Sequence, residues 1–228
     1  MVQLQADEPA QVATTIARLL GNPEVVKQLG DMEFINGVIR LKEIRTAIKE
    51  LRNLLDSREG AEKVYQDWCR KHSWAFGISY QKSDPVRSIS AGDSVDFLLP
   101  TVTSGYRDVV ELKRSDFKVL LNDRVHKNYY FSAPVSEALG QVVRYLDVFQ
   151  LEAGEGGLLD HPEIVAHHPR ATIVIGRSCD WRAEEQKALR TLNSALAGIT
   201  IMTYDHLLAQ CERLLAVLSA PDDDDIPF

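Results

Sequence analysis

In VDFLLPTVTSGYRDVVELKR, residues 95–114, two hydrophobic runs flank the turn-forming TSG, and each carries charge where an ordinary core strand would hold apolar side chains. Side chains alternate along a strand, so Glu111 and Lys113 project from one face, and Asp96 on the neighbouring strand can sit opposite them. Two carboxylates and an ammonium meeting at a sheet edge would cost on the order of several kcal/mol to bury unpaired. A divalent cation removes that cost. Hard oxygen ligands suit Mg²⁺ or Mn²⁺, and two carboxylates leave room for water and a phosphate. Such an ion would lower the pKa of a bound water and stabilise charge growing on the phosphate, with Lys113 orienting that water or neutralising the transition state. A plainer reading competes with this one: charged residues alternate on many half-exposed strands, and Glu-x-Lys by itself is common.

The elements that must position these residues follow from pattern. After Ser57-Arg58-Glu59-Gly60, the run AEKVYQDWCRKH predicts a helix, followed by SWAFG. Beyond the paired strands, SDFKVLLNDRVHKNYYFSA reads as a polar, aromatic-spotted loop, and Pro134 starts a helix at the position where proline is best tolerated. A loose loop leads to ATIVIG, a continuous apolar run of the kind buried in a central sheet. Then come a helix (WRAEEQKALRTLNSALA), a strand (ITIMTY) and a last helix (DHLLAQCERLLAVLS). This order predicts an α/β domain, a mixed sheet with helices on its faces, preceded by an all-helical segment. Residues 8–30 read as two short helices broken at Gly21-Asn22-Pro23, and Leu41, Ile44, Ile48, Leu51 and Leu55 form a short heptad seam. The seam has two readings: a helix packed on its own domain, or an intermolecular coiled coil.

Composition narrows the class. With 228 residues, 45% apolar and 26% charged, the chain is that of an ordinary soluble globular protein. No apolar stretch is long enough to span a bilayer and MVQLQADEPA is not a signal peptide, so a cytoplasmic protein with no membrane partner is expected. Cys69, Cys179 and Cys211 are far apart, without a CxxC pair, and read as reduced thiols. The net charge of −7 argues at first against a nucleic-acid partner, but four of those charges sit in the terminal PDDDDIPF. The body is nearly balanced, so global charge decides little.

An Asp in a hydrophobic strand, a short turn, a strand ending in Glu-x-Lys, and a following helix with an inward Gln together resemble the PD-(D/E)xK nuclease superfamily. Asp96, Glu111 and Lys113 stand on the three signature positions, with Val95 in place of the proline. The ordered run of Glu62, Gln66, Trp68, Trp74, Phe76 and Gly77, then DFLL, VVELK, Gln141 with Tyr145, IVIGR and ITIMTYDHLL, is similar to the nuclease domain of Shedu anti-phage defence proteins. The similarity covers roughly residues 58–215. It implies a restriction-endonuclease-like mixed sheet flanked by helices, and a Mg²⁺- or Mn²⁺-dependent deoxyribonuclease of bacterial immunity that hydrolyses phosphodiester bonds. By the same resemblance Asp96 and Glu111 hold the metal, Lys113 assists the attacking water, Gln141 completes the site, and Glu62 supplies a further metal contact, with Glu59 one turn away as its competitor. Tyr145 could touch substrate, although an aromatic on an amphipathic helix is usually core. The segments become 1–57, a helical piece for oligomerisation or regulation, 58–219, the nuclease domain, and 220–228, an acidic flexible tail. Two other functions stand beside this one: a repair or replication nuclease with no immune role, and a non-catalytic DNA-binding module of nuclease-like fold. The intact set of Asp96, Glu111 and Lys113 speaks against the module.

Further candidates surround that core. Arg114, Lys118, Arg124 and Lys127 form a basic run interleaved with Phe117, Tyr129 and Tyr130, a candidate DNA contact diluted by Asp116 and Asp123, and otherwise a solvated loop. His161, His167 and His168 lack the second ligand group that a zinc site needs and read as solvent-facing. The final DDDDIPF resembles the C-terminal tip of bacterial single-stranded-DNA-binding protein. That resemblance implies a docking tail, Asp224, Asp225, Ile226, Pro227 and Phe228, in which the Phe228 ring fills an apolar pocket, its carboxylate meets an Arg or Lys, and the aspartates meet a basic rim. The target is a host protein or the basic DNA channel of this same chain.

Overall fold

The computed structural model describes residues 32–103, 105–154, 156–158 and 160–219. The expected helices over 8–30 and the tail lie outside them. The chain divides into two compact units, Met1–Thr46 and Ala47–Phe228. Helix α1 (Met32–Asp56) runs through the division. Its part in the first unit carries Leu41 and Ile44 half-buried and Arg40, Lys42 and Glu43 outward, with the Thr46 hydroxyl donating to Lys42 O at 2.9 Å.

In the larger unit, α2 (Glu62–Lys71) leads into a 3₁₀ turn (Ser73–Phe76). Then come β1 (Ser88–Ser90), β2 (Asp93–Ser94), β3 (Phe97–Pro100), β4 (Arg107–Leu112), β5 (Leu120–Asp123) and β6 (Asn128–Phe131). Helix α3 (Ala133–Ala153), β7 (Ala171–Val174), α4 (Ala183–Ser194), β8 (Ile199–Met202) and α5 (Tyr204–Ser219) complete it. The main sheet is ordered β3-β4-β7-β8. β3 and β4 are the antiparallel hairpin read from the sequence, turning at Gly105 (φ 85°); β7 and β8 add to β4 in parallel, each after a helical crossover. The result is a mixed α/β architecture.

One face of this sheet meets α3. Leu98, Val109, Ile173 and Ile201 form a buried cluster with Val135, Ala138, Val142 and Phe149, which recur along α3 at helical spacing. Pro134 falls in the first turn of α3, where its missing N–H costs nothing. Elsewhere in the unit the end of α1 packs with α2 and α5. Ile48, Leu51 and Leu55 are buried there, with Tyr65, Trp68, Leu207 and Cys211. The Trp68 indole donates to Ala47 O at 3.0 Å, the rings of Tyr65 and Tyr204 lie 4.3 Å apart, and Arg177 caps the carbonyl of Leu55 at 2.6 Å while forking onto Asp205. The C-terminal half of the heptad seam is therefore core of its own unit.

Three stretches differ from the sequence reading. Residues 120–131, expected as loop, form the β5–β6 hairpin, whose turn is held by the Asp123 carboxylate accepting from the N–H groups of Val125 and His126. A small β1–β2 hairpin precedes Asp96, turning at Gly92 (φ 98°). The connection after α3 is partly core, with Leu158, Ile164 and Ala166 buried and Val165 bridging to Tyr106. Gly176, two residues past β7, sits at φ 66° against Phe117 O and Val119, an approach that a Cβ would block. The three cysteines are free, Cys69 and Cys211 buried and Cys179 exposed. Among the described residues no helix is long and apolar enough to cross a membrane.

Candidate active site

The register settles the geometry of the acidic pair. Phe97 faces Val110 across the ladder, so Asp96, one residue before β3, faces Glu111. Both are buried, at 8% and 5% exposure. Glu111 and Lys113 extend the row begun by Val109 on the α3 side of the sheet. That row runs from core into chemistry without changing face.

Each polar group has a defined partner. Asp96 Oδ2 accepts from the Leu112 N–H at 2.8 Å, and Oδ1 accepts from Gln66 Nε2, also at 2.8 Å. Lys113 Nζ donates to Glu111 Oε1 at 2.7 Å and to Gln141 Oε1 at 2.9 Å. The other end of the Gln141 amide donates to the Tyr145 hydroxyl at 2.6 Å. The Lys113 carbonyl takes the Tyr204 hydroxyl at 2.8 Å, which holds the strand end carrying the lysine. Four elements thus converge: α2 through Gln66, the β3–β4 hairpin, α3 through Gln141 and Tyr145, and the start of α5 through Tyr204.

Charge in this cluster is unbalanced. Burial first, and then the neighbouring Asp96 carboxylate, push the Glu111 carboxyl up to about 7 in spite of its bond to Lys113. Asp96 is raised by burial, against the opposing hydrogen bond from Leu112 N–H. Glu62 is raised by burial and then by Asp96. Burial works against the Lys113 charge, but its bond to Glu111 outweighs this and leaves it raised. Lys113 beside Glu111 and Arg87 near Asp96 do not offset the burial of the two carboxylates, and among the described residues nothing donates to Glu111 Oε2. An electron-rich oxygen pair of this kind fits a hard divalent cation.

Glu62, expected as a third ligand, meets Asp96 through an intermediary: Gln66 Nε2 donates to Glu62 Oε1 at 3.0 Å and to Asp96 Oδ1. Among the described residues no group of three or more His, Cys, Asp or Glu side chains is placed to hold a metal. The protein's own donors are the pair Asp96 and Glu111, with Glu62 behind Gln66. The bridging role of Gln66 was not legible beforehand, though its i+4 spacing from Glu62 on α2 is a signal of sorts. Arg87 is a second such residue. It donates to Val95 O at 2.8 Å and stands 3.7 Å from Asp96 Oδ1.

The basic run is not gathered into one patch. Arg114 forks onto Asp116 and lies over the Phe117 ring, 5.5 Å from its centroid. Lys118 is exposed before β5, and Arg124 and Lys127 are exposed in the β5–β6 turn, Lys127 at φ 53°. His167 and His168 are exposed, and His161 pairs with Glu163 at 3.2 Å. Two grooves among the described residues are lined by neither Asp96 nor Glu111, one along Gln150 and His168, the other between Trp74 and Leu214.

Comparison with known proteins gives one family. The family model described as Shedu protein SduA, C-terminal, matches residues 42–208, a span that contains every side chain of the cluster. No curated protein matches the chain.

Proposed function

The chain belongs to the family of the Shedu protein SduA C-terminal region, and from that premise we propose that it is a metal-dependent DNA nuclease of anti-phage defence, with the PD-(D/E)xK arrangement of its sheet as the catalytic frame. The observation that carries the reading is the facing pair Asp96 and Glu111 with Lys113 on the Glu111 row. A structural ion pair would match one carboxylate to one ammonium. Here two buried carboxylates face each other, Glu111 bonded to Lys113 and Asp96 3.7 Å from Arg87, and burial still raises the pKa of both, which favours an added cation.

Asp96 and Glu111 would hold Mg²⁺ or Mn²⁺, which when bound supplies Lewis acidity toward a phosphate oxygen and acidifies water. Leu112 N–H and Gln66 fix the rotamer of Asp96, and Lys113 fixes one oxygen of Glu111 while leaving the other free. Gln141 draws the Lys113 ammonium to a defined point, from which it can orient a water or meet charge developing on the phosphoryl group. Glu62 acts from behind Gln66, adding negative potential at the ligand pair. Arg114, Lys118, Arg124 and Lys127 are the proposed backbone contacts, through phosphate neutralisation rather than base reading.

The test is incubation of the pure protein with linear, circular and single-stranded DNA, with Mg²⁺, Mn²⁺ or a chelator. Metal-dependent cleavage by the wild type and none by Glu111→Ala is expected. Cleavage retained in Glu111→Ala would refute the assignment. Residues 221–228 are proposed as a docking element for a host protein, and the N-terminal segment as a route to a homo-oligomer. Deleting 221–228 should abolish protection in cells while purified cleavage stays unchanged.

A further inference from the structure

The hydrogen bonds that leave Lys113 have a compulsory direction. An ammonium only donates, so the group that Gln141 presents to it must be the amide oxygen, 2.9 Å away. The amide nitrogen of Gln141 is then turned to Tyr145, 2.6 Å away, and an amide NH₂ only donates. The Tyr145 oxygen must therefore accept, which leaves its own O–H proton uncommitted. Among the described residues no acceptor stands within hydrogen-bond distance of it.

The position of that proton matters. Tyr145 is half-buried on α3, its ring packed against the core beneath the sheet face that carries Val109, Glu111 and Lys113. Arg144, beside it in sequence, is engaged elsewhere, forking onto Asp93 at 2.6 and 3.0 Å. The hydroxyl is thus a directed, neutral donor two hydrogen bonds from the Lys113 ammonium. Glu111, on the far side of Lys113, is the carboxylate bonded into the same chain of hydrogen bonds.

We propose that the Tyr145 hydroxyl is a substrate contact, donating its proton to a non-bridging oxygen of a nucleic-acid backbone phosphate next to the reacting one. This rests on the nuclease reading for its substrate class and deepens it. The same contact links binding to chemistry. When the Tyr145 proton is held by phosphate, its lone pair is a better acceptor for Gln141, which in turn holds Lys113 more firmly.

The full chain and Tyr145→Phe are compared by fluorescence anisotropy on a labelled oligonucleotide in chelator, and by cleavage in Mg²⁺ or Mn²⁺. The contact predicts about tenfold weaker binding for Tyr145→Phe, the scale of one hydrogen bond to a charged acceptor. The difference should shrink on the same oligonucleotide with methylphosphonate linkages, whose remaining non-bridging oxygen is an uncharged, weaker acceptor. Equal affinities of the two proteins for the normal oligonucleotide would overturn the contact, even if the variant cuts slowly; Tyr145 would then only position Gln141. An undiminished tenfold loss on methylphosphonate would also overturn it, since the acceptor would not be an anionic phosphate oxygen. If the wild type binds in the predicted manner but never cuts, the contact stands and the nuclease reading falls.

Discussion

Asp96 and Glu111 face each other across an antiparallel ladder, both buried, with the Lys113 ammonium bonded to Glu111 and the Arg87 guanidinium 3.7 Å from Asp96. In a sheet built for stability that pairing would be destabilising, because like charges directly opposite repel. The cost is concentrated at one end of the hairpin, while Leu98 and Val109, the next pair on that face, are ordinary core. Strain placed this way is what the proposed metal ion would relieve.

The two roles in the cluster separate in a metal titration. Asp96→Asn and Glu111→Gln each remove a ligand and should weaken Mn²⁺ binding measured by calorimetry. Lys113→Met should bind Mn²⁺ at least as well as the wild type, since it removes a competing cation from Glu111 Oε1. All three should lose cleavage by roughly 10²–10⁴-fold. Lys113→Met protein that has lost the metal would show that the lysine shapes the ligand pair instead of serving the reaction.

Stability should depend on pH with a sign set by Glu111. Its folded pKa, about 7, lies above the ordinary 4.5, so the folded state holds a proton that the unfolded chain has released. The associated stability is present below about 4.5 and is lost as pH rises through 7. His72 and His206, both lowered by burial, act in the opposite sense, so the informative quantity is a difference between proteins. In chelator, Glu111→Gln should match the wild type near pH 4 and exceed its unfolding free energy by about 3 kcal/mol at pH 8. Mg²⁺ should stabilise the wild type at pH 8 and leave the variant unmoved. A difference that does not vary with pH would mean that Glu111 keeps an ordinary pKa.

Gln66 ties Glu62 to Asp96 through a single nitrogen. Gln66→Leu keeps the volume and removes the donor. Asp96 then loses the partner that orients Oδ1, and the two carboxylates repel without a bridge. Metal affinity should fall about 10–100-fold, the usual effect of removing a ligand's hydrogen-bond partner. Unchanged Mn²⁺ affinity in Gln66→Leu would reduce the bridge to a surface contact.

What could be read beforehand divides along physical lines. The β3–β4 hairpin and the face shared by Asp96, Glu111 and Lys113 were legible because period-two alternation fixes which side chains share a face, and that needs no tertiary knowledge. ATIVIG was legible as a central strand because a strand buried on both faces has no polar positions to spare. The β5–β6 hairpin was not. Its turn is built by Asp123 and a left-handed Lys127 in place of glycine, and Asn122 and Asn128 dilute the strand signal. The Gln66 bridge joins residues 30 positions apart, and the Tyr145 hydroxyl finds Gln141 on the same helix face. Such choices are made by packing, where an aromatic at helical spacing looks the same whether its hydroxyl is used or idle.

The heptad seam of α1 shows how the same pattern can be spent twice. Ile48, Leu51 and Leu55 are at most 3% exposed within their own unit, so this half is unavailable to a second copy of the chain. Leu51→Ala should cost about 3 kcal/mol as a buried cavity and lower the thermal midpoint. It should leave the mass measured by light scattering unchanged below that midpoint. Leu41 and Ile44 belong to the other unit and remain half-buried, so they are the part of the seam that self-association can use. Ile44→Asp should therefore lower the mass without moving the midpoint of the larger unit. If Ile44→Asp keeps the wild-type mass and Leu51→Ala lowers it, the assignment of the two halves is reversed.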